Sequence, residues 1–355
     1  MSSSVEHRDR YARQRLLPFI GEDGQRRIAN STVAVVGCGA LGTVSAGILA
    51  RAGVGQLTII DRDFVELSNL QRQTLFDEKH ARERIPKAVA AAETLRRVNS
   101  SIRVESVVAD LNAGNALSLL SGCIVIVDGT DNFESRLLIN DLSVRERIPW
   151  VYGAAVASVG LSMTILPGVT PCLRCVYETA PSAELSPTCD TAGVLSTVTG
   201  LVANVQATEA LKICAGNPDA VSPGLLSVDL WEGEFQRFPL HPARPNCPCC
   251  GRGEFTFLSG RDTQLGTYLC GRDAVQITPQ GGPGVRLDAL ARRWRSVPDL
   301  SDVHCNRFLL RARVAPGPDA TDPLEITVFP DARAIVKGTR QVDRARVAYA
   351  RFVGT

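Results

Sequence analysis

The chain has 355 residues, which against a usual domain of roughly 100–200 residues means two domains or one large domain with an appendage, and excludes a single small module. Thirty-nine Lys and Arg offset 37 Asp and Glu to a net charge of +2, and 45% hydrophobic with 21% charged residues excludes wholesale disorder and a charge-driven nucleic-acid binder. The longest apolar runs, such as Cys123 to Val127 and Leu161 to Leu166, fall far short of the roughly 18 residues of a bilayer span. Met1 to Arg13 shows no apolar stretch followed by a small-residue cleavage site, so a cytoplasmic protein with no membrane partner is expected.

Thr32 to Gly39 reads TVAVVGCG, a β-branched strand ending in glycine, and Ala40 to Ala52 is small and apolar enough for a helix packed closely on a sheet. Gln56 to Asp61 is a second strand, Pro86 to Asn99 a helix opened by proline, and Ile102 to Val108 a third strand. Cys123 to Val127 reads as a strand buried on both faces, Glu134 to Arg147 as a helix and Trp150 to Leu166 as further strand. Such alternation predicts an α/β fold with a doubly wound, Rossmann-like, mostly parallel sheet. Between Gly168 and Gly193 the pattern lapses into the kind of long connection that carries function or mobility. Val194 to Cys214 resumes as a helix and Leu225 to Leu240 as a hairpin turning near Glu232-Gly233. From about Ser259 a new pattern begins: strand Tyr268 to Ile277, helix Leu287 to Trp294, strand Arg307 to Val314, hairpin Leu324 to Lys337 and helix Asp343 to Phe352. The chain therefore divides into 1–258 and a smaller α+β domain, 259–355.

Gly37-Cys38-Gly39-Ala40-Leu41-Gly42 fits G-x-G-x-x-G between a strand and a helix, with Asp61 nineteen residues beyond Gly42. Glycines let the backbone approach a nucleotide, and the carboxylate accepts from ribose hydroxyls. A dehydrogenase carries the same signature, and a tight packing turn uses the same glycines. The stretch after Asp61 separates these readings: Asn69, Arg72 and Gln73, with Lys87 opening the next helix, supply donors and two fixed positive charges suited to a triphosphate. A neutral nicotinamide has no evident use for them; the bland alternative is a solvated loop. Gly129-Thr130-Asp131-Asn132 closes the fourth strand at the carboxyl edge, where doubly wound sheets bind ligands. There Asp131 suits magnesium, while Asp131 and Asn132 serve equally as helix caps and Asp128 is as readily structural.

Eleven cysteines include two C-x-x-C pairs, Cys172 with Cys175 and Cys247 with Cys250, separated by 71 residues. Four thiolates so arranged make a closed tetrahedral zinc site with no position left for water, which clamps the long loop to the chain after the hairpin. Cys249 is a spare thiol able to replace a neighbour, and disulfides or a redox pair are the lesser alternative. Cys38 and Cys123 read as core.

Together the run Arg10-Tyr11-Ala12-Arg13-Gln14, the turn GCGALG, the stretch DRDFVELSNLQRQTLF, Lys87, the Gly129 to Asn132 turn and the paired cysteines resemble the MoeB/ThiF group, bacterial relatives of ubiquitin-activating enzymes. The resemblance spans about Arg10 to Gly251 and leaves 259–355 uncovered. It implies a homodimeric adenylyltransferase that uses ATP and magnesium to adenylate the C-terminal glycine of a ubiquitin-like sulfur carrier ending in Gly-Gly, releasing pyrophosphate. Molybdenum cofactor, thiamine and tRNA thiolation are the destinations it implies, with a cysteine desulfurase as a possible sulfur donor. Under it Arg72 and Lys87 clamp phosphates, Asp131 orients magnesium, Asp61 holds the ribose, and Asn69 and Gln73 fix phosphates and loop. Gly37, Gly39, Ala40, Gly42, Asp63, Ser68, Leu70, Gln71 and Asn132 complete the nucleotide pocket, and Arg13 reaches the γ-phosphate from the other subunit. Cys189 matches the position of a cysteine that relatives use for a thioester or persulfide; a following helix acidifies such a thiol, Asp190 opposes that, and an inert loop residue is the alternative. For the tail the resemblance suggests a rhodanese domain, but Arg307 to Val314 reads as a strand where a persulfide-cradling loop would lie. A β-α-β-β-β-α module that docks a carrier or a downstream protein is expected instead, with Cys270 or Cys305 able to accept sulfur. The rival readings are an NAD-dependent oxidoreductase on the same fold, a relative that adenylates a peptide or small acid, and a scaffold without turnover.

Overall fold

Residues 10–177, 192–260, 267–269, 273–277, 279, 284–316 and 323–354 are described by a computed structural model. Cys189 and Cys270 lie outside these residues. The chain forms two compact units, 1–262 and 263–355.

In the first unit β1 (Thr32–Val36), α1 (Ala40–Ala52), β2 (Gln56–Ile60), α2 (Lys87–Val98), β3 (Arg103–Val107), β4 (Val125–Asp128), α3 (Phe133–Glu146) and β5 (Trp150–Val156) alternate. β6 (Val159–Ile165), α4 (Ser196–Cys214), β7 (Leu225–Asp229) and β8 (Glu234–Phe238) complete it. Strand order is β3-β2-β1-β4-β5-β6-β7-β8, the first five parallel and the last three antiparallel. Alternate residues of β1 serve opposite faces, which is why the strand is apolar throughout. Val33 and Val35 pack with Leu49 of α1, Leu95 of α2 and Ala207 of α4. Ala34 and Val36 pack with Leu138 of α3 and with Trp150 and Tyr152 of β5. Strand order reverses between β1 and β4, so the turns that leave these two strands lie side by side at the switch point of the sheet.

Trp150 to Leu166 proves to be an antiparallel hairpin, not a single strand. It turns at Ala157 with φ +53°, a position where glycine or asparagine would have announced the turn.

The second unit is a six-stranded antiparallel sheet, with β9 (Thr267–Leu269), β10 (Ala274–Ile277), β11 (Leu300–Cys305), β12 (Leu310–Val314), β13 (Leu324–Val328) and β14 (Ala334–Lys337) in the order β11-β12-β13-β14-β10-β9. α5 (Leu287–Trp294) and α6 (Val342–Phe352) cover one face. Leu287, Leu290, Ala291 and Trp294 recur at helical spacing and are buried. Two strands exceed the sequence expectation. Tyr268 to Ile277 is broken into β9 and β10 around Asp273 at φ +42°. β11 was hidden because its pairing with β12 shifts register between Ser301 and His304, which breaks the two-residue alternation. Cys305 ends β11 opposite Leu310 of β12, so residues 306–309 between them form a hairpin turn.

Among the described residues no helix is long and apolar enough to cross a membrane.

Candidate functional site

The glycine turn is built by mutual exclusion with the turn after β4. Gly37 adopts φ +85°, and a Cβ there would lie 2.5 Å from Gly129 O. At Gly129 a Cβ would meet Gly37 O at 2.3 Å, and at Gly42 the same oxygen at 1.9 Å. These three glycines therefore let two backbone turns and the start of α1 interlock. Gly39 differs: the nearest atoms to a Cβ there are Gly129 O at 3.9 Å and Gln73 Nε2 at 4.0 Å. A Cβ there would meet only ordinary contacts, and Gly39 and Ala40 are half-buried, so the helix N-terminus is not packed shut, the arrangement that receives an anion.

Asp61, at the end of β2, borders that space. Its Oδ2 accepts from Cys38 N at 2.6 Å and its Oδ1 from Asp63 N at 2.7 Å, leaving lone pairs for two further donors. Burial pushes its carboxyl above the ordinary value, and the charge of Lys87 opposes this. Lys87, 3% exposed at the first turn of α2, lies 3.3 Å from Asp63 Oδ2. The 3-10 turn Leu67–Asn69 follows, where Asn69 Oδ1 accepts from Glu66 N at 3.0 Å in a reciprocal cap. Asn69 O in turn receives Arg72 N and Gln73 N. Arg72 is half-buried with Nη1 on Ser68 O at 2.9 Å, while Ser68 and Gln71 are exposed and Leu70 is half-buried. Gln73 is 3% exposed and its Oε1 has no hydrogen-bond partner. A buried acceptor without a partner is what an N–H or O–H donor of a bound ligand would satisfy.

On the other side of the switch point Asp131 is exposed, and Asn132 caps α3 by accepting from Ser135 N at 2.8 Å. Asp128 is fully buried and structural: its Oδ1 accepts from Thr130 N and Thr130 Oγ1, and its Oδ2 faces Arg136 Nε at 3.2 Å. Burial raises its carboxyl above the ordinary range and Arg136 opposes the rise. Arg136 escaped the sequence reading; the available signal was a lone arginine opening Leu137-Leu138-Ile139 on a helix whose residues 136–143 are all buried.

The amino-terminal run is anchored except at one residue. Arg10 Nη1 bonds Val98 O, Tyr11 receives Asn99 Nδ2 at 2.8 Å, and Gln14 Nε2 reaches Gln25 Oε1 and Ala52 O. Arg13, on the short helix Ala12–Arg15, is exposed and has no hydrogen-bond or ion-pair partner among the described residues.

The four paired cysteines converge. The Sγ atoms of Cys172, Cys175, Cys247 and Cys250 all lie within 4.8 Å of one another. Cys249 stands behind them, buried, and receives Asn140 Nδ2 at 3.2 Å. The neighbouring sulfur of Cys249 holds the Cys172 thiol down at about 4, and the proximity of Cys172 together with burial pushes Cys249 up. Four convergent sulfurs fit zinc. α3 braces the cluster through Asn140 Oδ1, which accepts from Leu173 N at 2.7 Å, and through Asp141 Oδ2, which accepts from Phe257 N at 3.0 Å.

The model of the ThiF family matches residues 11–249. A sulfur carrier protein ThiS adenylyltransferase of Bacillus subtilis is 40% identical over 346 residues, 97% of this chain and 99% of the relative. The chain belongs to the ThiF family. The Bacillus match also carries the likeness into the second unit, beyond the Gly251 limit drawn from motifs alone. A SAMP-activating enzyme E1 of Haloferax volcanii is 38% identical over 253 residues, 71% of this chain and 92% of its own. In fold, the first unit's family architecture recurs in the crystal structure of Escherichia coli MccB with ATP: TM-score 0.60, 22% identity, 68% of this chain and 74% of that one.

Proposed function

We propose that this ThiF-family chain is an ATP-dependent adenylyltransferase acting on the C-terminal glycine of a ubiquitin-like sulfur carrier ending in Gly-Gly. The observation that carries the reading is the Gly39 turn at the head of α1, where a side-chain-free backbone is bordered by the Asp61 carboxylate and by the donor Nε2 of Gln73. The NAD reading gains no support from the relatives, whose names are those of adenylyltransferases and activating enzymes.

The ribose docks on Asp61, and the phosphates run past the helix N-terminus toward Arg72 and Lys87, with Asn69 and Gln73 holding phosphates and loop. The carrier's carboxylate oxygen attacks the α-phosphorus; the α–β phosphoanhydride bond breaks, and its electron pair leaves with pyrophosphate. Two anions approach and charge builds on the leaving group, so fixed cations that need no reorganisation supply most of the acceleration. Asp63 Oδ2, 3.3 Å from Lys87 Nζ, keeps the ammonium at the pocket edge. Magnesium, when bound at Asp131, neutralises phosphate oxygens. Arg13, tethered by its neighbours and exposed, completes the phosphate clamp of a second copy in a homodimer. Zinc, held by the cysteine quartet, would fix the ends of the segment that carries Cys189; the Cys189 thiolate would attack the acyl carbon of the adenylated glycine, forming a thioester as the acyl–phosphate bond breaks and AMP leaves, before a cysteine desulfurase or similar donor supplies sulfur. Residues 1–258 hold this catalysis; the small unit docks the carrier or a downstream protein, in the cytoplasm.

Isotope exchange between pyrophosphate and ATP tests the reading. Exchange is expected only with the carrier present, and it falls by about a hundredfold or more in Arg72→Ala and Asp131→Ala, the usual scale for removing a transition-state charge contact. Full exchange in both variants would remove these residues from the mechanism.

A further inference from the structure

Arg136 is a buried cation that the reaction scheme leaves unused. It lies one turn into α3 and is 6% exposed, with its fork spread over three elements. Nε faces Asp128 Oδ2 at the end of β4 at 3.2 Å, and Nη2 donates to Thr130 O at 2.8 Å and to Gly153 O on β5 at 3.0 Å. Its Cζ lies 5.5 Å from the Phe133 ring centroid and 5.2 Å from that of Tyr152. Burying a guanidinium is costly, and an apolar residue of similar volume would fill the space with less penalty. What it fixes is the backbone on either side of Asp131. Thr130 is held at its nitrogen and hydroxyl by Asp128 and at its carbonyl by Arg136, and Asn132 is held by its cap on Ser135. Asp131, the exposed residue of that turn, lies between these two pinned neighbours, and its Oδ1 accepts from Asn132 Nδ2 at 3.5 Å.

We propose that Arg136 is a positioning residue for adenylation: its fork locks the Thr130 carbonyl and the end of β4, and so aims the Asp131 carboxylate at the phosphates. This rests on the role given to Asp131 above. A lysine keeps the charge but has no planar fork to serve three acceptors at once.

The test uses the full chain with Arg136→Lys, and Arg136→Gln should the lysine variant not fold. Amide hydrogen exchange is expected to quicken in peptides covering 128–132 and to stay unchanged in β1 and β2. In pyrophosphate exchange kcat falls about a hundredfold, the cost of a misplacement near 1 Å, while KM for ATP stays within about threefold. Because Arg136 acts through Asp131, the double variant with Asp131→Ala is no slower than Asp131→Ala alone. Unchanged amides at 128–132, or a rate loss that multiplies with that of Asp131→Ala, overturns the inference while leaving the adenylation reading intact. No exchange in the unaltered protein, or full exchange in Asp131→Ala, instead overturns the reading on which it rests.

Discussion

Glycines that share one motif do separate jobs, and the structure tells them apart. Gly37 and Gly42 are demanded by backbone contacts with each other and with Gly129, some ninety residues away in sequence, so no motif could separate their role from that of Gly39. Gly42→Ala places a methyl 1.9 Å from a carbonyl oxygen and is expected to destabilise the protein by about 1–3 kcal/mol, the usual cost of overpacking. Gly39→Ala meets nothing closer than 3.9 Å; its melting midpoint stays near that of the parent while ATP binding weakens by about tenfold or more, roughly 1.4 kcal/mol per decade. Calorimetric melts and nucleotide titrations decide it, and an alanine at 39 that leaves ATP affinity unchanged would mean no ligand passes over this turn. Asp61, Asn69 and Lys87 were legible because they hang on a strand end, a turn and a helix start that local patterning marks. Arg136 was not, because its partners Asp128, Thr130 and Gly153 come from three elements.

At the scale of elements, the cysteine quartet was readable from spacing alone, since C-x-x-C fixes each pair and four sulfurs exhaust a tetrahedron. Its brace was not: Asn140 and Asp141 sit in the middle of α3, and only folding brings them to Leu173, Cys249 and Phe257. The spare thiol, Cys249, receives Asn140 Nδ2 and lies outside the converging set of four. Thiol labelling at pH 8 gives the check. Burial lifts Cys123 to about 11 and Cys214 to about 12. The thiolate is the reactive form, so about 0.1% or less of either is reactive at pH 8, and only a rise toward those values would release them. Both should stay unlabelled with or without a zinc chelator. Cys172, Cys175, Cys247 and Cys250 should become labelled, and the melting midpoint should drop, only when the chelator is present. Equal labelling of the quartet without chelator would mean that no metal holds it.

For the whole molecule, five parallel strands with helices on both faces followed from alternation, because the central strands β1 and β4 are mostly apolar runs separated from the other strands by helix-forming stretches. The antiparallel continuation was less visible: the β5–β6 turn at Ala157 lacks a glycine, and the register slip in β11 erases its alternation. The Bacillus relative matches nearly the whole chain, whereas the Haloferax relative matches 71% of it over 92% of its own length and is too short to hold both units. Adenylation chemistry is thus expected to reside in the first unit, where every group assigned to ATP is found. The central claim is that a carboxyl-terminal glycine attacks an α-phosphate held over the Gly39 turn. It is tested most directly by mass spectrometry of a Gly-Gly-ending carrier after incubation with this chain, ATP and magnesium. A carrier bearing one AMP as an acyl adenylate, absent when its final glycine is removed, is the result predicted. An unmodified carrier, with ATP intact and nicotinamide dinucleotide bound in its place, would contradict it.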